Sequence, residues 1–330
     1  MGEAEPIAIV GAGSVGLVLG ARLARAGLAV RFSVRDPAAA RALREAGVAV
    51  EDPASGAGWT VRVDARVGPP EAIAGPVFAC VRGPDTEALA AALAAASPAA
   101  LPVNVQNGID GDAVLARRFP RVAGAVWRAP CMRIAPNRVR TLGAARIVIG
   151  LHPQGADPAL EALAAMLRAA GFDVGVSPHI AADRWLKLCV NLGSAVNALV
   201  PQAEHATPAF VECKARLLEE AAAVLGAAGI EASSCDGRDR SLADEIAWQR
   251  GALARGDAAR RLPLYNSVWQ ELRHGLPAEA DAYHERIIAL GARHGIATPV
   301  NARVLAALRR ARAERLGPES FAASALLGAR

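Results

Sequence analysis

The hydrophobic and polar positions follow two different periods along the chain. Near the start, the apolar run of residues 7–10 leads into a glycine-rich turn and then helical spacing up to Ala26, which Gly27 stops. Residues 28–34 read as a second strand. Asp36-Pro37 then opens a second helix, the aspartate as N-cap and the proline at the first helical position. The first 47 residues thus form a βαβα unit. Residues 48–51 and 59–63 flank the turn-forming Pro53-Ala54-Ser55-Gly56-Ala57-Gly58, which predicts an inserted hairpin. Strands at 77–81 and 101–105 follow, separated by an alanine-rich helix over 85–96. A helix over 110–119, β-rich segments over 122–134 and 138–149, a helix over 158–170 and a strand over 172–176 complete an α/β half. From His179 onwards the period is almost entirely helical. The pattern predicts an α/β domain over 1–178 and an all-α domain over 179–330.

Composition changes this picture little. Of the 330 residues 53% are hydrophobic and only 4% aromatic, so two cores are built from small and aliphatic side chains. Arg or Gly interrupts every long apolar run, which argues against a membrane span. The start carries Glu3 and Glu5 and lacks the basic region of a secretory signal, so the expected address is the cytoplasm. Five cysteines without a Cys-x-x-Cys pair predict reduced thiols, neither a disulfide framework nor a zinc site. The six histidines are dispersed, so no metal is expected. A net charge of +5 with no basic block argues against a nucleic-acid partner and is compatible with a small anionic ligand.

Chemistry first enters at Gly11-Ala12-Gly13-Ser14-Val15-Gly16, a Gly-x-Gly-x-x-Gly placed between strand and helix. There Gly11 permits a tight turn, Gly13 admits a pyrophosphate to the backbone, and Gly16 lets the helix lie close to the strand. This context predicts a Rossmann-type, doubly wound dinucleotide-binding sheet. The tip of the second strand reads Ser33-Val34-Arg35-Asp36, with Arg31 nearby. Arg35 stands where a 2′-phosphate would need a partner, and Asp36 is explained as a helix cap, so NADPH is favoured over NADH. Two later strand ends, Arg82-Gly83 and Gln106-Asn107-Gly108, point to the same switch-point crevice or are simple turns.

In the second half, residues 185–199 are apolar apart from Lys187, Asn191, Ser194 and Asn197, if Trp185 is counted as apolar. At about 100° per residue these four lie within an arc of about 120°, a polar stripe on an otherwise buried helix. Such a stripe needs either internal hydrogen bonds or a polar ligand, because burying unpartnered amides and an ammonium costs a few kcal/mol or more. Snorkelling of Lys187 is the structural alternative. A dinucleotide fold upstream favours a substrate cleft.

The ordered series of motifs resembles the ketopantoate reductase (2-dehydropantoate 2-reductase) family. It runs nearly end to end, through the glycine loop, Arg35, Gln106-Asn107-Gly108, Trp185-Leu186-Lys187-Leu188 with Asn191, Ser267-Val268-Trp269-Gln270, Glu279-Ala280-Asp281 and His294 to Asn301. The resemblance implies NADPH-dependent reduction of 2-dehydropantoate to pantoate, towards pantothenate and coenzyme A. It implies Lys187 as general acid, Glu279 as the acid that sets it, Asn191 as a substrate-orienting amide and Ser267 as a carboxylate ligand. It also implies cofactor contacts through Gly11, Gly13, Ser14, Val15, Gly16, Arg35, Arg82 and the nicotinamide-side Asn107. Arg82 stands where the family has lysine, Ala195 where it has a second asparagine, and His284-Glu285 where it has Asn-Gly. In the family these positions touch or support the substrate pocket, and Ser194 and Asn197 are the candidate substitutes on the stripe. Two alternatives accompany this reading: a reductase of another branched or functionalised 2-oxo acid, and a non-catalytic dinucleotide sensor. A homodimer is the candidate assembly. The segment from His294 to Asn301 is read structurally, with Gly295 ending one helix, Thr298 capping the next and Pro299 in its first position.

Overall fold

Strict alternation sorts strand β1 (Ile7–Val10) onto two cores in the computed structural model, which describes residues 6–52, 56–141, 143, 145–256, 266–276 and 279–328. Ile7 and Ile9 join one apolar cluster, Ala8 and Val10 the other. Glu3, Glu5 and the turn residues Pro53, Ala54 and Ser55 lie outside the described residues. The chain forms two units, residues 1–183 and 184–330.

In the first unit β1 is followed by α1 (Ser14–Arg25), β2 (Val30–Val34), α2 (Pro37–Ala46), β3 (Val48–Asp52), β4 (Ala57–Val61), β5 (Asp64–Val67), β6 (Pro76–Ala79) and α3 (Thr86–Ala96). Then come β7 (Leu101–Asn104), α4 (Gly111–Ala116), β8 (Ala123–Trp127), β9 (Cys131–Ala135), β10 (Arg138–Thr141), β11 (Arg146–Leu151), α5 (Pro158–Ala169) and β12 (Asp173–Val176). The main sheet has the order β12-β11-β8-β7-β6-β1-β2-β5. It is parallel from β5 to β8, and β11 runs antiparallel to β8. The strand order reverses at β1, between β2 and β6, which places the switch point at the carboxyl ends of these strands.

Strand β5 differs from the sequence reading, which placed no strand there. Its Asp-Ala-Arg-Val stretch carries little apolar signal, but it pairs along β2 in register from Arg31↔Asp64 to Val34↔Val67. Arg31 Nε donates to Asp64 Oδ2 at 2.6 Å, locking this edge. Burial pushes the Asp64 carboxyl up, but the hydrogen bond and charge of Arg31 outweigh it and hold it below its ordinary value. Arg31, placed by the sequence near the cofactor, thus holds a strand.

The expected hairpin is β3–β4. Together with β9 and β10 it forms a second sheet, β4-β3-β10-β9, which packs against α1. Helix α1 therefore lies between two sheets. Leu17, Leu19 and Leu23 share one core with Phe32 of the main sheet and with Val48, Val50 and Val139 of the small one. Each such fully buried side chain contributes about 1.5–3 kcal/mol of apolar transfer.

Helix α6 (Ile180–Leu199) begins in the first unit and continues into the second. Its start is held where Ser177 Oγ donates to Asp183 Oδ2 at 2.6 Å and accepts from the His179 amide. After it come α7 (Pro208–Ala227), α8 (Leu242–Arg250), α9 (Ser267–Arg273), α10 (Glu279–Arg293), α11 (Pro299–Ala313) and α12 (Ala323–Leu327), with no strand among the described residues. None of the described helices is long and apolar enough to cross a membrane.

Gly295 follows α10 with φ of +69°, and Pro299 opens α11, as the sequence indicates. Thr298 occupies the cap position, but its side chain makes no capping bond. The carboxylate of Glu220, on α7, takes the amides of Val300 at 2.7 Å and Asn301 at 2.9 Å instead. Glu220→Ala is therefore expected to destabilise the chain by about 2 kcal/mol and Thr298→Ala by less than about 0.5 kcal/mol, checked by urea unfolding.

Candidate active site

The glycine loop shows why each glycine is there. Gly11 has φ of +101°, and a Cβ on it would lie 2.8 Å from the Cys80 carbonyl oxygen. At Gly16 a Cβ would lie 2.1 Å from the Gly11 carbonyl oxygen. Both are required by the fold itself. Gly13 is different: its φ of −76° suits any residue, and the nearest atom to an added Cβ is 3.9 Å away. Neither strain nor protein packing demands glycine at 13, so the open space over it, at the amino end of α1, is what the residue preserves. That space fits a pyrophosphate against the backbone. Ser14 Oγ accepts from the Arg133 amide at 2.9 Å, and the Arg133 guanidinium donates to the Ala12 carbonyl at 3.3 Å. This brings a cation from β9 to the loop, a neighbour that sequence reasoning missed because β9 is remote in sequence.

Around the loop lie the other strand ends. Arg35, with its side chain 84% exposed, makes a two-point ion pair with Asp85 at 2.9 and 3.1 Å. Asp36 accepts from the Ala38 amide at 2.9 Å and caps α2, as its sequence context indicates. Arg82 and Asn107 are exposed beyond β6 and β7. Gln106, which the sequence placed at a strand end pointing to the crevice or in a simple turn, ties these two ends together. Its amide donates to the Val81 carbonyl at 3.0 Å and shares a hydrogen-bond pair with Thr86 Oγ1.

In the helical unit, α6 has the expected stripe. From Lys187 to Val200 only Lys187, Val190, Asn191, Ser194 and Asn197 are partly exposed, and the other side chains are buried. Asn191, Ser194 and Asn197 line a cavity of about 200 Å³ with Lys214 and Leu218 of α7 and Gln249 of α8. The hydrophobic pattern of α7 did not single out Lys214. Ser267, the first residue of α9, is exposed, while the preceding Asn266 caps that helix and donates to the Ser194 carbonyl at 2.9 Å. Asn266 thereby fastens α9 to the stripe, a role for which the sequence held no local signal. Glu279 opens α10 and accepts from the Tyr283 hydroxyl at 3.3 Å.

Residues 7–154 match the family described as ketopantoate reductase PanE/ApbA, and residues 179–312 match its C-terminal part. The chain belongs to the ketopantoate reductase family. It is an oxidoreductase acting on a 2-oxo acid, which removes the non-catalytic sensor reading. Among similar proteins is a 2-dehydropantoate 2-reductase of Caulobacter vibrioides, 31% identical over 92% of this chain and 98% of the relative. Another, from Halobacterium salinarum, is 29% identical over 89% of this chain and 94% of the relative. The crystal structure of a PanE/ApbA family ketopantoate reductase from Ralstonia eutropha JMP134 superposes with a TM-score of 0.78, at 27% identity, over 94% of this chain and 99% of that one. A D-mandelate dehydrogenase solved with NADH and anilino(oxo)acetate shares the fold, with a TM-score of 0.77 at 18% identity over 94% of this chain and 99% of that one.

Within this family the departures at 284–285 and 195 take on a structural meaning. His284 is 0% exposed, with Nδ1 2.8 Å from Asn301 Oδ1, and burial pushes its imidazole down to about 4, so it is neutral at physiological pH. Glu285 pairs with Arg309 on the surface. Neither lines the cavity. Ala195, also 0% exposed, lies on the buried face of α6. Burial pushes the thiols of Cys80, Cys131, Cys189 and Cys213 up to about 12, so these four stay protonated at neutral pH.

Proposed function

We propose that this family member reduces a 2-oxo acid with NADPH, with Lys187 as general acid, and that its substrate is 2-dehydropantoate. The observation that carries the reading is the half-exposed stripe of Lys187, Asn191, Ser194 and Asn197 on an otherwise buried helix, three of whose members line a cavity. The relatives named 2-dehydropantoate 2-reductase supply the substrate.

The glycine loop and the amino end of α1 would hold the pyrophosphate, with Ser14 and Val15 beside it, and Asn107 and Arg82 would lie towards the nicotinamide. NADPH bound there would supply a hydride to the carbonyl carbon. As that carbon becomes tetrahedral, negative charge grows on its oxygen, and the Lys187 ammonium stabilises it and delivers a proton. Asn191, Ser194 and Asn197 orient the substrate by hydrogen bonds, Ser267 receives its carboxylate, and Glu279 acts as a positioning residue for Lys187. The product is the 2-hydroxy acid.

Arg35 supports the choice of NADPH. An exposed ion pair is worth about 0–1 kcal/mol, so a 2′-phosphate can displace Asp85 from the guanidinium at little cost. Asp36, the acid that might otherwise read a ribose diol, is engaged in capping α2. Arg35→Ala is expected to raise KM for NADPH by about 10- to 30-fold and leave that for NADH within about twofold, the size expected for a lost charge-assisted contact. The test of the whole reading is oxidation of each cofactor followed at 2-dehydropantoate saturation, with a panel of other 2-oxo acids alongside. Faster turnover with NADH would remove NADPH, and turnover confined to another 2-oxo acid would remove 2-dehydropantoate.

A further inference from the structure

The chain holds only two lysines, Lys187 and Lys214, among its 37 basic residues. Arginine serves everywhere else, so a surface cation or an ordinary ion pair did not require lysine here. Lys214 lines the cavity beside Asn191, Ser194, Asn197 and Gln249. Its stem lies across Gly193, where an added Cβ would come within 3.1 Å of Cε. The flat spot on α6 is what brings the ammonium to the stripe.

Lys214 makes no hydrogen bond and no ion pair with any described residue, and its Nζ lies 5.5 Å from the centroid of the Phe210 ring. The acid whose charge reaches it, Glu245 on α8, is already engaged. One Glu245 oxygen accepts from Arg240 at 3.1 Å and the other from Gln249 at 2.8 Å. His205, ahead of α7, and Cys213, on α7 itself, are the other titratable groups that interact with Lys214. Lys214 is only partly exposed, and burial pushes its ammonium down to about 8 despite the opposing pull of Glu245. A compact point charge with three rotatable donors can turn its N–H groups towards an anion in this cavity.

We propose that Lys214 is a substrate-binding residue that receives a carboxylate of the 2-oxo acid in this cavity. The inference rests on reading the α6 stripe as the 2-oxo acid site. The carboxylate is either the one adjoining the keto group, common to all 2-oxo acids and then shared with Ser267, or a second one at the far end of a dicarboxylic substrate. The amides of Asn191 and Asn197 and the Ser194 hydroxyl supply the donors that such an anion also needs.

The test uses the full-length protein loaded with NADP+, titrated calorimetrically with oxamate, which has one carboxylate, and with 2-oxoglutarate, which has two. Lys214→Met keeps the stem and removes the charge. Its affinity is expected to fall by about 50-fold, the loss of a charged partner to a carboxylate, with cofactor affinity unchanged. Its Tm should stay close to wild type, because the ammonium is half-buried and makes no ion pair with a described residue. Lys214→Gln, a polar second variant, should lose affinity in the same way. A fall for both ligands assigns the keto-side carboxylate, and a fall for 2-oxoglutarate alone assigns the distal one. Wild-type affinity in both variants, or no binding of either anion by the wild type, overturns the proposal. Lys214-dependent binding without any reductase turnover would count against the general-acid reading of Lys187 and leave the Lys214 site standing.

Discussion

Lys187→Ala is expected to lower kcat for 2-oxo acid reduction by about 10³-fold and to leave the affinity for NADPH within about twofold, because general-acid assistance is typically worth 10²–10⁴. The reduced carbonyl passes through an oxygen with alkoxide character, which is far too basic to persist at neutral pH without a proton donor. Asn191 and Ser194 remain in the variant and keep the substrate oriented, so KM should change less than kcat. Lys187 is partly exposed, so its removal leaves no large void and Tm should move by only a few degrees. Lys187→Arg is the informative partner. A guanidinium keeps the positive charge but does not release its proton near pH 7, so it should recover little of the lost rate. Single-turnover NADPH oxidation separates the chemical step from product release. A variant rate within threefold of wild type would show that another group protonates the oxygen.

The second large effect lies in the glycine loop, where two neighbouring substitutions should fail for different reasons. In Gly16→Ala the new Cβ would meet the Gly11 carbonyl oxygen at 2.1 Å and the Cys80 Cβ at 3.2 Å. The first contact is with backbone, so no rotamer relieves it. Helix α1 is held between two sheets by Leu17, Leu19 and Leu23, which leaves it little room to retreat. The expected cost is about 3 kcal/mol, a Tm lower by roughly 10 °C, together with loss of NADPH binding. Gly13→Ala meets nothing closer than 3.9 Å and leaves φ undisturbed. Its Tm should match wild type while NADPH affinity falls by at least about 10-fold, since the methyl group occupies the space kept for the pyrophosphate. Fluorescence titration with NADPH beside thermal unfolding reads both quantities. Undiminished NADPH affinity in Gly13→Ala would mean that the loop does not cradle the phosphates.

The contrast between Lys187 and Lys214 shows what can be read along a chain. Lys187 stands out because its own helix is apolar around it, and the positions of Asn191, Ser194 and Asn197 follow from a period of 3.6. All four are indeed on the partly exposed face. Lys214 sits on an amphipathic helix among Glu212, Arg216, Glu219 and Glu220, where the helical period does not set it apart from other surface charges. Only the approach of α7 to Gly193 of α6 turns it towards the cavity. At His284 the resemblance gave a position that touches or supports the pocket in the family, and only the fold shows that this side chain is buried against Asn301, whose own amide donates to Glu220 at 2.8 Å.

Local sequence determined the alternation of β1, the glycine turn, the Asp36 cap, the change from mixed to helical period and the α6 stripe. Each of these depends on steric and hydrogen-bonding preferences that act within a few residues. Tertiary structure alone decided that residues 64–67 form the edge of the main sheet, because their strand exists through pairing with β2 and the Arg31–Asp64 bond. It also decided that β3, β4, β9 and β10 form a separate sheet over α1, that Glu220 rather than Thr298 caps α11, and that Asn266 fastens α9 to Ser194. Those outcomes join groups tens of residues apart, and no short-range periodicity encodes which distant partner satisfies a given donor, acceptor or strand edge.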